Sequence, residues 1–76
     1  MEMTEFIQHF AEQFDETEAS VFTPETKFRD LDEWSSLLAL SVMAMINEEY
    51  DVCISAQEMV HANTIQELFY TVQSHL

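Results

Sequence analysis

The sequence contains no glycine and a single proline among its 76 residues. Hairpins depend on tight turns with positive φ, and glycine supplies them, so a glycine-free chain of this length is more easily built from helices. Glycine-rich loops that cradle phosphates are excluded along with the residue itself. The lone cysteine, Cys53, rules out an internal disulfide and fits a reducing compartment. Bases are equally scarce. Only Lys27 and Arg29 stand against 15 acids, for a formal net charge of −13. Nucleic-acid phosphates and anionic membrane surfaces repel such a charge, so no nucleic-acid partner is expected. The longest mostly apolar stretch, Leu37 to Ile46, is too short to span a bilayer, so no membrane insertion is expected. The acidic start, Met1-Glu2-Met3-Thr4-Glu5, lacks the basic region and apolar stretch of a secretion signal, which points to the cytoplasm.

What the chain does have is apolar mass. Hydrophobic residues make up 47% of it, enough for one core and too much for a disordered acidic tail. The expectation is a single all-α domain over residues 1–76. Acidic self-repulsion should soften it at low salt, and salt or divalent cations should stabilise it.

Met3, Phe6, Ile7, Phe10 and Phe14 recur at helical spacing with polar residues between them, which predicts a first helix from Thr4 to Phe14. A long connection, Asp15 to Ser35, carries the only proline and four apolar anchors, Val21, Phe22, Phe28 and Leu31. The anchors predict a segment packed across the helices, with a turn of helix in it. A second helix starts at Ser35–Ser36 and ends at Tyr50 or Asp51. It is apolar almost all round, with more apolar surface than one core-facing stripe requires. Val52-Cys53-Ile54 reads as extended. Ser55 and Glu58, then Thr64 and Glu67, repeat the spacing of a capping box, opening a short third helix and a last one with Ile65, Leu68, Phe69 and Val72 on its apolar face.

Candidate chemistry is sparse. His9, His61 and His75 lack the spacing of a metal-binding helix, and no metal ligands are assigned. Cys53, between valine and isoleucine, reads as a small core residue rather than a nucleophile. Asn47, Glu49, Asp51, Ser55 and Glu58 fall at calcium-hand positions, but Val52 occupies the sharp-turn position where that motif needs glycine. The serine pair remains. Ser35 suits an N-cap, and Ser36 would then sit in the first turn with its hydroxyl free, beside unpaired N–H groups and the positive end of the helix dipole. On these grounds alone, a plain cap and a phosphodiester site both stay open.

At this point the sequence resembles the acyl carrier protein family. Ser36-Leu37 matches the Ser-Leu at the head of that family's second helix, and Glu48-Glu49-Tyr50-Asp51 closes the helix at the matching distance. The resemblance extends over the long first loop, the short third helix and the acidic balance. It implies a four-helix bundle with three main helices and one short one. It also implies a non-catalytic carrier whose serine, here Ser36, receives 4'-phosphopantetheine from coenzyme A, so that acyl groups ride as thioesters on the arm. Leu37, Glu48 and Glu49 would meet partners: a phosphopantetheinyl transferase, and acyl-transferring or condensing enzymes with basic docking surfaces. Val42, Met43, Ile46 and Met59 are the expected acyl-cavity residues, and a monomer is expected. Ser35 replaces the family's aspartate, whose role would pass to Asp32 or Glu33. Leu38, Ser41 and Asn47 replace acids of fatty-acid carriers, which favours a carrier for a specialised lipid, a polyketide or a polysaccharide. An unmodified acidic helical interaction module and a calcium-binding helix-loop-helix protein are the alternatives.

Overall fold

The computed structural model describes residues 1–76, in which four α-helices and two 3₁₀ turns are joined without any strand. The first helix, α1 (Met3–Ala11), turns Phe6 and Phe10 fully inward. It stops three residues before the predicted end. The N–H groups of Gln13 and Phe14 bond three residues back, to Phe10 and Ala11, and this tightens the chain out of the α-helix. Phe14 is buried all the same, because its ring stacks with Phe10 at 5.5 Å between centroids.

The connection to the second helix lies packed across the bundle, as its anchors predict. It contains 3₁₀ turns at Ala19–Val21 and Phe28–Asp30. Phe22 and Phe28 are buried and Leu31 half-buried, whereas Val21 is exposed and anchors nothing. Two polar clamps hold it. The Glu33 carboxylate accepts from the N–H groups of Asp15 and Glu16, at 2.8 and 3.1 Å, and from the Thr17 hydroxyl at 2.7 Å. Farther on, the carbonyls of Pro24 and Thr26 accept from Gln66 and Ile65, satisfying first-turn donors of the last helix.

The central helix, α2 (Ser36–Tyr50), ends at Asp51, which sits in the left-handed region at φ 57° and ψ 39°. In a chain without glycine, a short polar residue takes the helix-terminating role that glycine usually fills. The extended stretch that follows buries Val52 and Ile54. Cys53 is exposed, contrary to the core position expected from its neighbours, because successive side chains of an extended strand point to opposite sides.

Both capping boxes form. Ser55 and Glu58 open α3 (Ala56–His61), and Thr64 and Glu67 open α4 (Ile65–Gln73), each side chain reaching the other's backbone N–H. Helix α1 packs on α2 and α4, with Phe6 edge-on to Phe69 at 5.5 Å. The core of 16 buried residues draws on all four α-helices and contains no polar side chain.

Candidate functional site

Helix α2 starts where Ser35 allows it to. Ser35 is extended, at φ −155° and ψ 171°, and its Oγ accepts from the Leu38 N–H at 3.2 Å. That bond satisfies one of the orphan first-turn donors. The N–H groups of Ser36 and Leu37 have no acceptor. Ser36 itself is exposed and its hydroxyl makes no hydrogen bond. A free hydroxyl, two free N–H groups and the positive end of a 15-residue helix therefore coincide.

Three stripes run down α2 from this point. Val42, Met45 and Ile46 face the core. Ser36, Ala39, Leu40 and Met43, spaced i, i+3, i+4 and i+7, form one wall of a groove. Leu37, Ala44 and Glu48 face solvent. Glu49 turns toward α1, where its carboxylate lies 3.8 Å from His9 Nε2. The apolar excess of α2 is thus divided between core, groove and open surface, which a pattern apolar all round could not separate.

The opposite wall of the groove is α3, through Ala56, Met59 and Val60, and the connection closes one side with Arg29 and Trp34. The volume is about 330 Å³ and the lining is largely apolar. Of the residues expected to form an acyl cavity, Met43 and Met59 line this groove. Val42 and Ile46 do not; both are fully buried on the core stripe. Leu40 and Val60 were missed, and they are 61% and 68% exposed. Arg29 was also missed as a groove residue. Its Nη1 donates to the Met59 carbonyl and its Nη2 to Asn63 Oδ1, each at 2.7 Å. Only its rarity as a cation marked it in the sequence.

The acids near the serine pair have separate tasks. Glu33 is occupied by the loop clamp, and its carboxyl is held below the usual range, first by the Thr17 hydroxyl and then by the Asp15 and Glu16 N–H groups. It is therefore not free to replace an aspartate beside the serine, whereas Asp32 is exposed. The residues at calcium-hand positions do not converge either. Glu58 caps α3, with its pKa lowered first by the Ser55 N–H and then by His75, whose Nε2 lies 2.7 Å away. The Asn47 amide donates to the Cys53 sulfur, and no group of three or more His, Cys, Asp or Glu side chains comes together. At the far end of α2, burial first and the charges of Glu5 and Glu49 second raise the Tyr50 pKa, and its hydroxyl has no hydrogen-bond partner.

Residues 3–69 match the family described as the phosphopantetheine attachment site. Comparison with curated proteins and comparison with solved structures each give no match. Members of the matched family carry 4'-phosphopantetheine covalently, and the free Ser36 hydroxyl with its neighbouring N–H groups fits a phosphodiester. The match runs from the start of α1 into α4 of an all-helical bundle, and by it the chain belongs to the phosphopantetheine attachment family, as a carrier domain of the acyl carrier protein type.

Proposed function

We propose that Ser36 is the acceptor of the 4'-phosphopantetheine arm. In this reading the chain is a non-catalytic acyl carrier that shuttles intermediates between enzymes of fatty-acid-like, specialised lipid, polyketide or polysaccharide biosynthesis. When attached, the arm supplies a terminal thiol that holds acyl groups as thioesters. The chain's own residues supply the rest. The Ser36 and Leu37 N–H groups stabilise an anion on the serine oxygen, and the groove between α2 and α3 gives apolar cargo a place out of water. The observation that carries this reading is the position of Ser36: it lines the same groove as Leu40, Met43 and Met59, and its hydroxyl makes no hydrogen bond.

Leu37, 74% exposed beside the serine, is the contact offered to a phosphopantetheinyl transferase. Glu48, on the same exposed stripe, is offered to acyl-transferring or condensing enzymes with basic surfaces, with Glu49 flanking it toward α1. The proposed setting is the cytoplasm and the proposed state a monomer; an exposed free Cys53 suits a reducing compartment, and no helix is long and apolar enough to cross a membrane.

The test is to incubate the protein with coenzyme A and a broad-specificity phosphopantetheinyl transferase, then weigh the intact chain. Native protein and Ser35→Ala should each gain one arm, and Ser36→Ala none. A native chain that stays unloaded while a control carrier is loaded overturns the proposal in favour of an unmodified interaction module.

A further inference from the structure

The chain has 15 acids, yet its ion pairs all involve His9 or His75, and none involves Arg29. The guanidinium instead forks across the far end of α3, to the Met59 carbonyl and to Asn63. That carbonyl is one of the last four of a six-residue helix and lacks an intrahelical partner, because the Asn63 N–H goes to Glu67 Oε1. A cation there also complements the negative end of the helix dipole. The fork is anchored on the other side by Phe28, fully buried and with its ring centre 5.4 Å from the guanidinium carbon.

Helix α3 has few other restraints. Met59 is its one buried residue, Val60 is bare, and its remaining polar support is its own capping box and the Glu58–His75 contact. A short helix with one core side chain belongs to the low-stability end of a fold. It is also the whole of one groove wall, so a chain that parts the two helical walls moves α3 away from α2.

We propose that Arg29 is a latch that holds α3 in place and so limits the length of acyl chain the groove accepts, which makes it a positioning residue. This rests on the groove being the acyl site, so the first measurement does not depend on loading. Amide hydrogen exchange is followed in the unloaded protein at Met59 and Ala62, whose N–H groups bond to Ser55 and Glu58. Asn63→Ala and Arg29→Gln should speed exchange there about tenfold more than in α1 and α4, and Asn63→Asp, which turns the Nη2 contact into an ion pair, should slow it. A change shared equally by α1 and α4, or none in α3, overturns the latch. The second measurement loads the protein with saturated acyl chains of increasing length and reads the emission of Trp34, the only tryptophan, which lines the groove. The length at which emission shifts should rise in Asn63→Ala and fall in Asn63→Asp. A profile identical in all variants overturns the proposal. Failure to load counts against Ser36 as acceptor and leaves the exchange result to decide the latch.

Discussion

Two apolar regions of this small protein are built on opposite terms. On one side, Phe10, Phe14, Phe22 and Phe28 pack with Trp34 into an interlocked set of rings. Phe10 alone lies 5.4 to 6.5 Å between centroids from Phe14, Phe22, Phe28 and Trp34. On the other side, Leu37, Leu40 and Val60 are left bare around the groove that begins at Ser36. A chain of this size has little apolar surface to spare, since the core is close to the minimum that supports a fold. The aromatic side holds the frame rigid, which leaves aliphatic side chains on the other side free for a ligand or a partner. In the proposed reading, function uses the side where burial is incomplete.

The comparison breaks most directly at Phe10. Phe10→Ala deletes a fully buried ring that touches α1, the connection and the segment before α2. The expected loss is about 3–5 kcal/mol, against a total stability on the order of 4–11 kcal/mol for a domain this long. Urea titration followed by circular dichroism should show the variant's midpoint far below that of the native protein, by the loss divided by the m-value. A loss below about 1 kcal/mol would mean that the rings are not the frame.

Ser35→Ala comes next, with a loss of roughly 0.5–2 kcal/mol from the lost cap and no change in loading. The same urea titration measures the loss, and intact mass after the transferase reaction checks loading. This substitution sharpens the boundary between the two regions, because Ser35 belongs to the frame and Ser36 to the exposed side.

The boundary was partly legible in the sequence. Both capping boxes and the Ser35 cap are local patterns of four residues, and each forms as read. The end of α1 was not legible, because Phe14 joins the core through ring stacking whether or not it is helical. Cys53 was misread by judging its neighbours' polarity when alternation decides direction in an extended segment. Nothing local identifies Arg29, whose two partners lie 30 and 34 residues away along the chain. The site divides in the same way: Ser36 and Leu37 stand in a short readable motif, while the groove walls come from three separate segments.

The Glu33 clamp should give a smaller, pH-dependent effect. Its folded-state pKa is depressed by the Thr17 hydroxyl and the Asp15 and Glu16 N–H groups, so its contribution is fully present above the unfolded value of about 4.3. The contribution fades as pH falls through the lower folded value. Overall stability also responds to relief of self-repulsion among 15 acids, which runs in the opposite direction. The difference between native protein and Glu33→Gln removes that background. Their melting temperatures should be separated at pH 7 and converge toward pH 3, and a constant gap would show that Thr17 and the N–H groups do not favour the charged carboxylate.

The smallest stability effect belongs to the bare side. Leu37→Ser, Leu40→Ser and Val60→Ser replace side chains that are 74%, 61% and 68% exposed. Each should alter stability by no more than about 0.5 kcal/mol, because little area leaves water on folding at these positions. Replacing a bare leucine with serine therefore tests what the frame does not need. If these side chains serve the exposed function, Leu37→Ser should slow loading by the transferase, read as a fall in kcat/KM, with its melting curve unchanged. Leu40→Ser and Val60→Ser should leave loading intact and weaken the Trp34 response to acyl chains, since both residues line the groove and Leu37 does not. Should any of the three instead lose several kcal/mol, the side chain would be part of the core in solution, and the division between a closed aromatic frame and an open aliphatic face would fail at that residue.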